Sequence, residues 1–124
     1  MANKYNARQI VIGDEVFDSK KEGKRWMILK QYEKEGKIFN LQRQVKFVLI
    51  PSQREPDKVG ARGGVIKGKE IEKECSYIAD FMYGTEQGIV VEDVKGYKRG
   101  GAYAVFSIKR KLMLKEYGLR VKEI

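Results

Sequence analysis

A five-residue turn, Gly84-Thr85-Glu86-Gln87-Gly88, stands between two runs that read as strands. The first extends roughly from Ile71 to Tyr83 and closes on Tyr77-Ile78-Ala79-Asp80-Phe81-Met82-Tyr83. The second, Ile89 to Lys95, is rich in β-branched residues. So short a connection points to antiparallel pairing, and that pairing can bring Asp80 beside Asp93. Asp93 and Lys95 are two apart, so in a strand they project from one face, about 6.7 Å apart along the chain.

The remaining elements arrange themselves around this pair. Ile10 to Phe17 reads as a short hairpin turning at Gly13-Asp14. Asp18-Ser19 then opens a helix that runs to about Glu35 and is closed by Gly36, with Trp26, Leu29 and Tyr32 as its buried stripe. Ile38 to Ile50 is an extended segment ending at Pro51. Residues 52–68, with Gly60, Gly63, Gly64 and Gly68, form a polar, basic loop or long hairpin tip. Gly96-Tyr97-Lys98-Arg99-Gly100-Gly101 is a basic glycine-rich loop, followed by an amphipathic helix marked by Val105, Ile108, Leu112 and Met113 and ending near Gly118. Leu119 to Ile124 reads as a last strand. The fold class is α/β: a mixed central sheet flanked by helices, in one domain over residues 1–124 with a basic insertion at about 52–68.

Composition limits the chemistry. There is no histidine and a single cysteine, Cys75. That excludes histidine bases, Ser-His and Cys-His nucleophile pairs, intrachain disulfides and cysteine zinc sites. A metal could be held only by carboxylates, carbonyls and water, which suits Mg²⁺ or Mn²⁺. The 26 Lys+Arg against 17 Asp+Glu give a net charge of +9, a field that favours polyanions, nucleic acid above all. No apolar stretch is long enough to cross a membrane, and Met1 to Tyr5 has no apolar segment of a secretion signal. A cytoplasmic protein is expected.

Each candidate residue carries two readings. Glu22, one turn before Trp26, shares the inward stripe and is costly there without a partner; Ser19-x-x-Glu22 is equally a capping box. Asp80 is an acid in an apolar strand, fitting a metal ligand or a buried ion pair with an arginine. Asp93-x-Lys95 alone is also a plain charged pair. Glu92 falls on the opposite face from Asp93, which gives it a solvent or structural role. Lys109 lies in the apolar arc of its helix and either reaches the site or snorkels outward. Lys98, Arg99, Arg54, Arg62 and Lys67 are candidate phosphate contacts or plain solubilising charge.

A carboxylate on an early helix, an Asp on a strand, and a carboxylate-x-Lys on the next strand together resemble the PD-(D/E)XK nuclease superfamily. Phe17-Asp18-Ser19-Lys20-Lys21-Glu22, Tyr77-Ile78-Ala79-Asp80-Phe81 and Val91-Glu92-Asp93-Val94-Lys95-Gly96 resemble its small phage-encoded members, some of which resolve Holliday junctions. The resemblance spans about Ile10 to Ile124 and implies a restriction-endonuclease-like core. It implies Glu22, Asp80, Asp93 and the Val94 carbonyl as ligands of Mg²⁺ (or Mn²⁺), with Lys95 positioning the attacking water. Ala79 stands where such proteins often carry proline, and Gln44 where they often carry glutamine. It further implies DNA, plausibly branched or junction DNA, as substrate, and a homodimer. The competing expectations are a non-catalytic nucleic-acid-binding module on the same fold and a small structural or RNA-associated basic protein.

Overall fold

In a computed structural model, which describes residues 9–96 and 98–124, the chain forms a four-stranded mixed sheet with one helix preceding it and one inserted before its last strand. The expectations for Met1 to Tyr5 and for Tyr97 lie outside the described residues. β1 (Ile10–Ile12) and β2 (Glu15–Phe17) make the expected hairpin, with Gly13 at φ 61° in the turn. α1 (Lys20–Lys34) follows, and the hydroxyl of Ser19 accepts the Glu22 N–H at 3.1 Å. Gly36, at φ 76°, lets the chain leave the helix for the first long strand.

That strand is β3 (Phe39–Ile50). Four short strands then build a protruding arm: β4 (Gln53–Arg54) pairs with β7 (Glu70–Glu72), and β5 (Lys58–Val59) with β6 (Val65–Ile66). The arm pairs antiparallel where a loop or long hairpin tip is expected at 52–68. It also breaks the strand expected from Ile71: the central strand β8 begins only at Cys75 and runs to Thr85, with Lys73-Glu74 between. β9 (Gly88–Asp93) returns antiparallel to β8. α2 (Gly100–Tyr117) crosses over, and β10 (Val121–Glu123) joins parallel to β9, giving the order β10-β9-β8-β3. Helix α2 starts inside the stretch expected to be loop. Its buried side chains are Phe106 and Met113, while Val105 and Ile108 stay exposed. Phe106 settles the rotation because it is the largest apolar group on the helix and meets Tyr77 and Tyr103 at centroid distances of 6.1 and 5.7 Å.

Two apolar clusters hold the layers. One joins α1 to the sheet through Phe17, Leu29, Ile38, Phe81 and Tyr83; the other joins α2 through Leu49, Tyr77, Ala79, Val91, Phe106, Met113 and Val121. Side chains two apart in a strand share a face. Yet Tyr77 and Ala79 belong to the α2 cluster, and Phe81 and Tyr83 to the α1 cluster. The inward face of β8 therefore changes sides at Asp80. Its neighbour β3 does the same: Leu41 packs with α1, Phe47 and Leu49 with α2. Between them lies Gln44, opposite Asp80 in the register and at φ 51°. A non-glycine residue in the left-handed region is strained by about 1–3 kcal/mol, and here it marks the register position at which both strands turn over.

Candidate active site

Asp80 and Asp93 meet because β8 and β9 pair as Phe81↔Glu92 and Met82↔Val91, which makes them the next facing pair. Asp93 is only 5 % exposed, the last residue of β9. The Asp93 carboxyl stands close enough to Asp80 to influence its protonation, and the Val94 N–H donates to Asp80 Oδ2 at 2.8 Å. Burial, the contact with Asp93 and the negative charges of Asp93 and Glu22 push the Asp80 carboxyl up to about 8, against the opposing pull of the Val94 N–H. At neutral pH this acid is therefore held largely protonated.

Lys95 lies just past the end of β9, not within it as expected. Its ammonium group is 2.5 Å from Asp93 Oδ2 and 3.6 Å from the centre of the Phe106 ring. The backbone beyond β9 stays fixed because Ile124 N–H donates to the Asp93 carbonyl at 2.9 Å and Lys95 N–H to the Ile124 carbonyl at 3.1 Å. Lys21 Nζ from α1 donates to the Lys95 carbonyl at 2.7 Å.

Glu22 is buried on α1 and lines one cleft with Asp18, Asp80, Asp93, Val94 and Lys95. Its side chain is turned toward β3, accepting from Gln44 Nε2 at 3.4 Å and lying 3.6 Å from an Arg43 nitrogen. Desolvation first, then the nearby Asp18 charge, raise its pKa, and Arg43 opposes them. Ser19 caps the helix, so the capping reading accounts for the serine but not for where the Glu22 carboxylate points.

Arg43 was not among the residues singled out in the sequence. It pairs with Glu15, donates to the Val16 carbonyl at 2.9 Å and lies over the Phe17 ring at 3.9 Å. Its position in β3, one residue before Gln44, is the signal that could have found it. Asp18 and Lys21 are further members of the cleft wall that the motif residues did not indicate.

Glu92, on the opposite face from Asp93 as expected, has the structural role and not the solvent one. It is 0 % exposed, takes a bidentate pair from Arg25 at 2.8 and 2.6 Å and accepts the Tyr83 hydroxyl. Burial and this acceptor raise the Tyr83 pKa.

The basic candidates are dispersed. Lys109 lines a second cleft with Ser76, Tyr77, Asp93, Lys95 and Phe106, so Asp93 and Lys95 form a wall shared by both clefts. It borders that cleft together with Asp93 and Lys95. Arg99 caps α2 without a side-chain bond, and Lys98 beside it lowers the Glu123 pKa, after the larger effect of the Tyr103 hydroxyl. Arg54 is engaged within the arm, donating to the Gly68 carbonyl at 3.1 Å and lying 3.8 Å from Glu70. Arg62 and Lys67 are exposed on the arm, away from the acids in sequence and in the sheet.

As these side chains stand, no three Cys, Asp or Glu groups among the described residues are gathered closely enough to hold a metal ion. The donor set nevertheless suits a hard cation: two neighbouring carboxyl groups, the protonated form of one favoured by burial and by its neighbour, with a third acid in the same cleft. Asp80, Asp93, Glu22 and the Val94 carbonyl would hold it.

The fold and site define a small mixed α/β protein with an acidic, lysine-bearing cleft where the middle of β8 meets the end of β9. The chain belongs to the family described as "Protein of unknown function (DUF1064)", whose model matches residues 2–123. No curated protein and no solved structure matches it. Among the described residues, no helix is long and apolar enough to cross a membrane.

Proposed function

We propose that this protein is a metal-dependent DNA endonuclease of the PD-(D/E)XK type. The observation that carries the reading is the facing pair Asp80 and Asp93, from adjacent strands, opening on one cleft with Glu22 and beside Lys95. The order of elements, a helix, three antiparallel strands, a crossover helix and a parallel strand, is consistent with a restriction-endonuclease-like core. The net charge of +9 favours a polyanionic substrate.

Mg²⁺ or Mn²⁺, when bound, would supply a water of lowered pKa and polarise the scissile phosphate. The chain's own groups do the rest. Asp80 and Asp93 would hold the cation as carboxylates, Asp80 giving up its proton. Lys95 leaves Asp93 for the phosphate or the attacking water, adding positive charge where negative charge accumulates. Lys109, which lines the second cleft with Lys95, would contact a neighbouring phosphate. Lys98, Arg99, Arg62 and Lys67 contribute the longer-range positive field. By the same resemblance, the substrate is branched or junction DNA and the working form a homodimer.

The test is incubation of purified protein with junction, duplex and single-stranded DNA in Mg²⁺, beside Asp93→Asn and Lys95→Ala. Cleavage by the wild type that both substitutions abolish supports the reading; cleavage that survives them assigns the activity elsewhere. One observation favours a second reading, a nucleic-acid-binding module without hydrolysis: Lys95 is closed onto Asp93, and Glu22 is turned to Arg43 and Gln44. Titration calorimetry with Mn²⁺ separates the two, since the binding module takes up no carboxylate-dependent metal.

A further inference from the structure

The arm between β3 and β8 is a built rod with an unusual tip. Its base is fixed from several sides: Glu55 N–H donates to the Lys69 carbonyl at 2.8 Å, Asp57 accepts the Gly68 N–H at 2.8 Å, and Arg54 holds the Gly68 carbonyl. Gly68 lies so tightly on this base that a Cβ there would fall 1.7 Å from the Glu55 carbonyl oxygen. Above it, β5 and β6 close through a Gly60–Gly64 bond of 2.7 Å, with Gly63 at φ 83°.

The acids of the arm, Glu55, Asp57, Glu70 and Glu72, all sit at this base. From Lys58 to Lys69 there is no acidic residue, and Lys58, Arg62, Lys67 and Lys69 have no ion-pair partner among the described residues. Within this cationic tip, Val59 and Val65 face each other across the ladder, 79 % and 72 % exposed, and Ile66 beside them is 57 % exposed. A two-stranded ribbon is of a width that enters a DNA groove, and apolar side chains presented among cations are the means by which groove-binding proteins part a base step. Contact with a second copy of the same tip would set its four cations against their equals, so the charge selects a polyanion.

We propose that the β5–β6 tip inserts into double-stranded DNA, Val59 and Val65 wedging at a base step while Lys58, Arg62, Lys67 and Lys69 hold the flanking phosphates. The inference rests on the reading of DNA as substrate and adds the surface that engages it. The test uses full-length protein in EDTA, with a duplex and a four-way junction carrying 2-aminopurine at successive positions. Val59→Thr with Val65→Thr keeps shape and strand propensity; Arg62→Ala with Lys67→Ala removes charge alone. Wild-type protein should brighten 2-aminopurine at a defined step. The threonine variant should lose that signal and about tenfold in affinity while keeping its salt dependence, whereas the alanine variant should lower the log–log salt slope by about 2. Unchanged brightening and affinity in the threonine variant would overturn the proposal. So would a sedimentation result in which that variant turns a dimer into monomers with DNA binding intact, or preferential unstacking of an RNA duplex. Because no divalent metal is present, unstacking in a protein that never cleaves DNA in Mg²⁺ would defeat the nuclease reading and leave this one standing.

Discussion

Asp80 and Asp93 face each other one step beyond the Phe81–Glu92 pair, and burial together with the neighbouring Asp93 carboxyl favours the protonated form of Asp80. The Asp80 pKa is raised from 3.8 to about 8 in the fold. A raised carboxyl contributes stability that is complete below its unfolded value and is lost as pH climbs through the folded one. In EDTA, the Tm of the wild type should therefore fall between those two pH values, and that of Asp80→Asn should fall less. Mg²⁺ should flatten the wild-type decline. A wild-type Tm that rises across this window would contradict the assignment.

Lys95 should matter to turnover more than to DNA affinity. Lys95→Ala is expected to reduce cleavage by about a hundredfold or more, with binding measured in EDTA nearly unchanged. The same variant leaves Asp93 buried without its cation, at a cost of about 3 kcal/mol that urea melts should show. Lys95→Arg should recover the stability better than the activity, because the guanidinium is planar and its charge is differently placed.

Gln44 combines strain with a contact to Glu22. Glycine adopts its backbone conformation without the penalty of a Cβ, so Gln44→Gly should stabilise the fold by up to about 1 kcal/mol in urea titrations. Cleavage should fall in the same variant, since Glu22 loses the amide that orients it. A loss of stability would mean that the amide contributes more than the strain removes.

Glu92 is the structural acid of the sheet. Glu92→Gln leaves Arg25 without its charged partner in a buried setting and should cost about 3 kcal/mol, seen as a lowered urea midpoint. Tyr83→Phe removes one hydrogen bond to the same carboxylate and should cost nearer 1 kcal/mol. Metal uptake by the remaining protein should be preserved in both, since neither group opens on the cleft.

The parts of the site legible in the sequence were those fixed by short connections. The short turn between β8 and β9 is enough to set Asp80 against Asp93, and helical spacing alone places Glu22 on the Leu29 face. Burial was less accessible. Alternation put Glu92 opposite Asp93, but only the packing of α1 reveals that Arg25 and Tyr83 close over it. The rotation of α2 was misread because Val105 and Ile108 are apolar, whereas Phe106 gains ring contacts with Tyr77 and Tyr103 that a count of apolar positions does not weigh. The arm could be read no more finely than a loop or long hairpin tip, because strands of two or three residues are too short for any periodicity to register. Gln44 gave no sign of its backbone, since nothing in the residue type demands a left-handed conformation.

The last strand sets an order of assembly. β8 and β9 can zip together as a hairpin from neighbouring segments, but β10 reaches β9 only after α2 has crossed over, the slow kind of contact for a folding chain. Until then, nothing grips the Asp93 carbonyl or the Lys95 amide. The lysine end of the cleft is thus the portion that matures late, and anything that delays the docking of α2 withholds it from an otherwise formed sheet.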